Sequence, residues 1–341
     1  MSDNNVLSCN VDPDDKALDI TLRPKRFSDF IGQESIKENL HIYIEASKRR
    51  GDVLDHILFS GSQGLGKTTL AQIIANEINV DIKATSGPVL DKPGDLAGML
   101  TNLKQGDILF IDEIHRLNQT TEEYLYSAME DFSIDIMIDQ GPSARSVKIN
   151  LPHFTLIAST TREGLLTPSF RARFGVLERL DFYPWMELKE IAIKSAKTLK
   201  IDIDEKSAEM IAKSSRGTPR IVNRFIRRIR DVAQVKGSNK ITENITKLGF
   251  NMLGVDHNGF GNLDRKILQT IIQHGGGPIG LKTIAVSVNE QEDTIEEVYE
   301  PFLIQKGYLS KTPRGRIATQ QAYEYMGHKV ATGKQSILSF D

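Results

Sequence analysis

Apolar residues in this chain recur with more than one period, and the period changes along its length. From Leu22 to about Tyr183, short unbroken apolar runs alternate with stretches whose apolar positions repeat every three to four residues. The runs predict buried strands, clearest at residues 57–60, 108–111 and 154–159. The stretches predict helices. Leu70, Ile73, Ile74 and Ile78 form the stripe that follows the first strand. Such alternation predicts a largely parallel sheet covered by helices. Residues 134–151 differ: apolar and polar positions alternate over two short arms. Ile134, Ile136 and Ile138 lie on one arm, Val147, Ile149 and Leu151 on the other, with Gly141-Pro142 between. This predicts a hairpin inserted between the second and third core strands. Its apolar face must be covered by its own domain or by a partner.

Tyr183-Pro184-Trp185 interrupts the alternation and predicts a hinge. Residues 186–255 read as all-helical. After Val255–Gly261, a predicted linker, come three helical patterns and two short strands around Thr312-Pro-Arg-Gly315. Three helices followed by a hairpin is the order of a winged helix. The predicted organisation is an α/β domain over 1–184, a helical domain over 185–255, a winged-helix domain over 256–330 and a flexible tail over 331–341.

Composition narrows the class. At 39% hydrophobic and 26% charged, the chain is an ordinary globular protein. The formal net charge of −2 leaves any nucleic-acid contact to local patches. Residues 185–255 hold 15 Lys and Arg against 8 Asp and Glu, whereas 256–330 hold 8 against 9. The single cysteine, Cys9, excludes an internal disulfide and a cysteine zinc site, which suits a reducing cytoplasm. The acidic N-terminus lacks the apolar core of a signal peptide. No apolar run approaches the ~20 residues that span a bilayer, so no membrane role is expected.

The densest chemistry lies at residues 61–69, Gly-Ser-Gln-Gly-Leu-Gly-Lys-Thr-Thr. The pattern G-x-x-x-x-G-K-T between a strand and a helix is a phosphate-binding loop. Gly64 and Gly66 let the backbone curl its N–H groups inward, Lys67 reaches the β- and γ-phosphates, and Thr68 offers a hydroxyl to Mg²⁺. Ile108-Leu-Phe-Ile-Asp-Glu113 supplies two carboxylates at a strand end, where open α/β sheets bind ligands. Asp112 suits Mg²⁺ held through water. Glu113 suits an attacking water, which points to hydrolysis. Residues 154–162 end a further strand in hydroxyls, either a γ-phosphate sensor or a capped strand end. The two arginines of Ser169-Phe-Arg-Ala-Arg-Phe-Gly175 are either dipole compensation or a finger for a neighbour's phosphate. Arg220, at the start of the helix opened by Gly217-Thr-Pro, is placed to reach a phosphate. In the winged helix the expected recognition helix, around 294–304, carries Glu296, Glu297 and Glu300. The hairpin carries Lys311, Arg314 and Arg316. DNA contact is therefore expected from the wing, through phosphates or the minor groove, unless the module serves only protein contact.

These segments resemble, in order, the RuvB family of bacterial branch-migration motors in the AAA+ class. The likeness rests on the phosphate loop, Asp112-Glu-Ile-His-Arg-Leu117, Ala158-Ser-Thr-Thr-Arg162, Arg171-Ala-Arg-Phe-Gly175, Gly217-Thr-Pro-Arg220 and Thr312-Pro-Arg-Gly-Arg316, over about residues 18–328. Leu22-Arg-Pro24 and Phe30-Ile-Gly-Gln33 match the family's adenine-side segment. The resemblance implies an AAA+ P-loop sheet domain, a helical lid and a winged helix. It implies a homo-hexameric ring that moves duplex DNA at a Holliday junction with ATP and Mg²⁺, loaded by a RuvA-like protein and followed by a RuvC-like resolvase. By position, Lys67, Thr68 and Thr69 would bind phosphate and Mg²⁺, with Asp112 and Glu113 serving metal and water. Thr161 would be the first sensor, Arg220 the second and Arg173 the finger acting in trans. Leu22, Arg23 and Tyr183 would line the adenine pocket. Ile134, Ile136, Ile138, Val147 and Ile149 would dock on the RuvA-like partner, and Lys311, Arg314 and Arg316 would contact DNA.

The chain departs from the family pattern at Ser62-Gln63, where Pro-Pro is usual, and at Glu292, often basic. It also departs at 331–341, beyond the usual end. Gln335-Ser-Ile-Leu-Ser-Phe340 resembles short peptides that dock on a sliding clamp, against the plainer reading of an unstructured tail. The rival class is an AAA+ initiator, a nucleotide-switched DNA platform rather than a motor. A clamp-loader subunit is further off, because its Ser-Arg-Cys motif is absent.

Overall fold

In the computed structural model, which describes residues 21–137, 146–237 and 239–328, the apolar runs form a parallel sheet. Ile138, the sequence 335–340 and Cys9 lie outside the described residues. The strands are β1 (Ile57–Ser60), β2 (Ile82–Ser86), β3 (Ile108–Asp112), β4 (Ser133–Met137), β5 (Ser146–Asn150), β6 (Thr155–Thr160) and β7 (Val176–Arg179). Five of them make one sheet in the order β2-β3-β6-β1-β7, every neighbouring pair parallel. β1, β3 and β6 are buried almost throughout, which is why they read as continuous apolar runs. Parallel strands bring their C-terminal ends to one edge. Ser60 pairs there with Thr160, and Ser86 with Asp112.

The helices of this region are α1 (Glu34–Arg50), α2 (Lys67–Ile78), α3 (Pro93–Leu100) and α4 (Gln119–Glu130). α2 buries Leu70, Ile73 and Ile74 completely. Asn118 caps α4 by accepting from the Thr121 N–H at 2.8 Å.

β4 and β5 form the expected hairpin, with Ile134 opposite Ile149 and Ile136 opposite Val147. One part of the expectation is corrected. Ile134 is 1% exposed and belongs to the ATPase-side core with Leu109, Leu125 and Phe154, so it is unavailable to a partner. The reason is connectivity. β4 begins three residues after α4, so its first residues still lie within that helix's apolar layer. Ile149 is partly buried on the same core, while Val147 is 42% exposed.

The chain divides into two compact units. One contains the sheet and also the short stretch Gly217–Asn223. The other contains Ala192–Arg216 and the residues from Arg224 onward. Its elements are drawn from α5 (Trp185–Thr198), α6 (Glu205–Ser214), α7 (Pro219–Lys236), α8 (Glu243–Met252), α9 (Asn262–Gln273), α10 (Leu281–Val288) and α11 (Glu300–Gln305). A two-residue parallel pair, β8 (Asp202–Ile203) with β9 (Lys240–Ile241), ties its helices at one end. An antiparallel hairpin, β10 (Leu309–Thr312) with β11 (Gly315–Ala318), is the wing. Phe260, Ile267, Ile271, Ile295 and Phe302 centre the winged-helix core. Just before α11 the chain widens into a π turn over Ile295–Tyr299. Pro301 has no N–H to close the next α turn, which accounts for the local widening.

Ile134→Ala is expected to destabilise the protein by about 2–5 kcal/mol, the usual cost of truncating a core aliphatic side chain. Val147→Ala is expected to stay within about 0.5 kcal/mol. Urea unfolding of the two variants checks this; equal effects would contradict the burial of Ile134.

Candidate functional site

The phosphate loop leaves β1 at Ser60 and enters α2 at Lys67. Gly64 and Gly66 have φ of +80° and +109°, a conformation most side chains avoid. Space is equally restrictive. A Cβ on Gly64 would lie 2.9 Å from Arg220 Cβ, and one on Gly66 would lie 3.1 Å from the Phe30 ring. The first turn of α2, with half-buried Thr68 and Thr69, opens directly from this loop, and a helix start of this kind favours an anion. Lys67 is 6% exposed, and its ammonium donates to the carbonyls of Gly61 (2.6 Å) and Ser62 (2.9 Å). Ser62, a departure from the family pattern, thus contributes through its backbone. The Arg220 N–H donates to Gly64 O at 3.4 Å, which brings the expected second sensor against the loop. Tyr183 is buried, and its hydroxyl donates to Leu65 O at 3.0 Å. Burial pushes that phenol far above its ordinary pKa, so it stays a neutral donor. Leu22 is half-buried and Arg23 exposed.

The acid pair stands at the same sheet edge. Asp112 Oδ1 accepts from the Ser159 hydroxyl and from the Glu113 N–H at 3.1 Å. Glu113 is itself left-handed, with φ of +51°. Its Oε2 accepts from the Thr161 N–H (3.4 Å) and hydroxyl (3.2 Å), and His115 Nδ1 lies 3.3 Å from the same oxygen. His115 Nδ1 is also 2.9 Å from the Thr160 hydroxyl. Burial raises the Glu113 pKa, and the Asp112 charge raises it further, while Lys67 and the Thr161 hydrogen bonds oppose both. Lys67, Asp112, Glu113 and Thr161 therefore gather around one edge, and the Arg220 backbone adjoins the loop there. Ser159 and His115, which reads from the sequence as a structural histidine, join them. Ser159 lies near the end of β6, two residues before Thr161, and His115 two residues after Glu113. Those offsets were the available signal.

Arg173 is elsewhere. Its guanidinium pairs with Glu130 Oε2 at 3.0 Å, donates to Ser169 O at 2.7 Å and lies 4.4 Å from the Tyr126 ring centroid. Within one chain these contacts do not bring it to Lys67.

At the wing, one assignment is corrected. Arg316 is 9% exposed and grips Glu300 through both guanidinium arms, at 2.5 and 3.0 Å. It is an internal strut: β11 pairs with β10 on one side and bridges Ile279 on the other, and from this inner strand its side chain meets buried Glu300 of α11. Lys311 is half-exposed and pairs with Glu296 at 2.8 Å. Arg314 stands exposed at the turn. Among the described residues no helix is long and apolar enough to cross a membrane, and no cluster of His, Cys, Asp and Glu could hold a metal by itself.

A phosphate loop, a strand-end acid pair and strand-end hydroxyls on a parallel sheet, with a lid and winged helix, define an AAA+ P-loop ATPase. Comparison with known proteins narrows this. The profile described as the Holliday junction DNA helicase RuvB P-loop domain matches residues 22–180, the RuvB AAA lid domain 183–256 and the RuvB C-terminal winged helix domain 257–327. A Myxococcus xanthus protein named Holliday junction branch migration complex subunit RuvB is 55% identical over 323 residues, 94% of each chain. A protein of the same name from Christiangramia forsetii is 57% identical over 319 residues, 93% of each. The solved Thermotoga maritima RuvB Holliday junction branch migration motor superposes with a TM-score of 0.83 at 50% identity, covering 91% of this chain and 99% of its own. The chain belongs to the RuvB family.

Glu113 can take a proton only as a carboxylate. Its pKa is raised, so hydrolysis is expected to fall as pH drops through that raised value. Thr161→Val removes a hydroxyl that favours the carboxylate. The pKa should then rise further, and the acid limb of the rate should move to higher pH. Turnover against pH for both proteins checks this; an unmoved or lowered limb would contradict the geometry.

Proposed function

We propose that this chain is an ATP-hydrolysing motor that drives branch migration of Holliday junctions, acting in the cytoplasm as a homo-hexameric ring on duplex DNA. The observation that carries the reading is one chain uniting a complete phosphate-loop and acid-pair site with a winged helix, in family likeness across both units.

The loop N–H groups, Lys67 and Thr69 bind the polyphosphate of ATP, and Leu22, Arg23 and Tyr183 border the base. Thr68 and Asp112 suit Mg²⁺, a hard cation that takes oxygen ligands, and the metal supplies charge neutralisation of the phosphates. Lys67 exchanges its carbonyl partners for phosphate oxygens. Glu113 orients a water for attack on the γ-phosphorus and accepts its proton as the bond to ADP breaks, giving ADP and phosphate. Such a base contributes about 10²–10⁴ in rate. Thr161 holds Glu113 in register and senses the γ-phosphate, while Arg220 senses from the lid side. Arg173 leaves Glu130 to stabilise charge on a neighbour's ATP.

The hairpin β4–β5 docks on a RuvA-like junction protein through its outer face, including Val147, and a RuvC-like resolvase follows. Arg314 and Lys311 track DNA phosphates. The initiator-switch alternative has no specific observation in its favour.

Two experiments test the reading. Arg173→Ala and Lys67→Ala should each be inactive alone, with losses of about 10³–10⁵ for a trans-acting finger. Mixed, they should regain part of the wild-type rate, because some interfaces pair an intact loop with an intact finger. No recovery at any ratio would rule out action across subunits.

Arg314→Ala should weaken duplex binding evenly across sequences and reduce the salt slope by about one phosphate contact. Arg316→Ala should instead destabilise the fold by about 3–5 kcal/mol, because it leaves Glu300 buried with only Lys311, at 3.9 Å, to offset its charge. Salt-dependent binding and thermal unfolding separate the two, and a sequence-selective loss in Arg314→Ala would contradict backbone tracking.

A further inference from the structure

An arginine of the lid reaches into the winged helix. Arg216, the last residue of its segment in the second unit, is 3% exposed. Its guanidinium pairs with Asp264 of α9, which is completely buried, and Nε donates to Gly259 O at 3.1 Å. The same guanidinium lies 4.6 Å from the Phe302 ring centroid and 5.7 Å from that of Tyr299, so it stands on the recognition-helix side of the winged-helix core. Asp264 Oδ2 also accepts from the Gly261 N–H at 2.7 Å, which fixes the start of α9. A second arginine strengthens the joint: Arg265 donates to Gly254 O at 2.9 Å and Phe260 O at 3.0 Å.

This joint is costly for what it contributes to stability. Arg216 has φ of +55°, a left-handed conformation unfavourable to a side chain of this size. Arg216 Nη1 and Asp264 Oδ1 are buried with no hydrogen-bond partner. Burial raises the Asp264 pKa even with Arg216 beside it. Isolated buried pairs of this kind are often no more stable than apolar residues of similar volume. What the arginine does supply is direction: its planar guanidinium fork holds Asp264 through Nη2 and the Gly259 carbonyl through Nε, and one rigid group bonded to two partners permits few relative orientations.

Its position in the chain gives that direction a use. Four residues after Arg216 comes Arg220, whose N–H meets Gly64 of the phosphate loop. We propose that Arg216 is a positioning residue for branch migration: its clasp on Asp264 locks lid and winged helix into one rigid lever, so that movement of the Arg220 segment during the nucleotide cycle reaches the DNA-binding module undiminished. The inference rests on the motor reading above, because only a nucleotide-driven cycle gives the lever something to transmit.

The test uses the full-length protein with Cys9→Ser and spin labels on cysteines at Lys197 in the lid and Lys282 in the winged helix, both exposed. Wild-type contacts should give a narrow distance distribution, the same with ADP and with a slowly hydrolysed ATP analogue. Arg216→Met with Asp264→Leu keeps volume and removes the fork. It should keep or raise the thermal midpoint and keep DNA-free ATPase, yet broaden the distribution. The ratio of duplex affinities between the two nucleotide states should fall to about one, which is loss of coupling. Arg216→Lys, which keeps charge without the fork, should lie between, and it carries the test if the double variant fails to fold. A broad distribution with the native clasp, or a narrow one with intact coupling when the fork is gone, overturns the proposal. If duplex affinity with the native clasp is the same in both nucleotide states, the motor reading fails, and the distance distributions still judge the clasp.

Discussion

An ammonium and two carboxylates share one poorly hydrated sheet edge, and the architecture of the ATPase unit follows from keeping them there. Removing an ion from water costs several kcal/mol unless other groups replace the lost solvation. Lys67 meets that requirement with the carbonyls of Gly61 and Ser62, and Glu113 with the N–H and hydroxyl of Thr161. Both solutions need strands whose C-terminal ends coincide, hence a parallel sheet with β1, β3 and β6 at its centre. The loop must also be tight enough for its own carbonyls to face Lys67, which is possible only because Gly64 and Gly66 turn left-handed where no side chain would fit. A polyphosphate at this edge would replace carbonyl dipoles by full negative charge around Lys67, so the arrangement that holds the ammonium here also suits the phosphates of a nucleotide.

Much of this edge was legible in the sequence because its chemistry is local. Loop, acid pair and hydroxyl cluster each lie within a few consecutive residues, and β1, β3 and β6 are apolar runs because both faces are buried. β2 and β7 were less visible. They are the sheet's outer strands, and Ile-Lys-Ala-Thr-Ser86 and Val-Leu-Glu-Arg179 carry polar residues that a buried run does not. The misassignments were long-range. Arg316 looks like a DNA contact until Glu300, sixteen residues earlier, is seen across from it. Ile134 looks like a docking residue until α4 and the sheet are seen to cover it. Ser159 and His115 lie inside two of the family-like segments, but only strand register and the turn after Glu113 bring them to the carboxylates.

The winged helix shows how its fold constrains its use. Glu296 on its expected recognition helix would repel a phosphate-lined groove, whereas Glu300 is buried. Half-exposed Lys311 pairs with Glu296 and buried Arg316 with Glu300, while exposed Arg314 lies at the turn. A module arranged in this way holds the DNA backbone without reading much sequence, which suits a protein that must pass over any sequence the junction presents. Firm attachment of such a module to the lid matters more than a tight grip on bases. The buried charges between Arg216 and Asp264 are consistent with that priority.

The central claim is that ATP turnover at this edge moves a DNA junction rather than fixing the protein upon it. A synthetic four-way junction with homologous arms, incubated with the protein, a RuvA-like partner and Mg²⁺, tests it directly by resolving junction from duplex products over time. The account predicts duplex products that accumulate with ATP and are absent with a slowly hydrolysed analogue. A junction that is bound tightly in ATP, hydrolyses it, and yields no duplex product would contradict the motor and favour a nucleotide-controlled DNA platform.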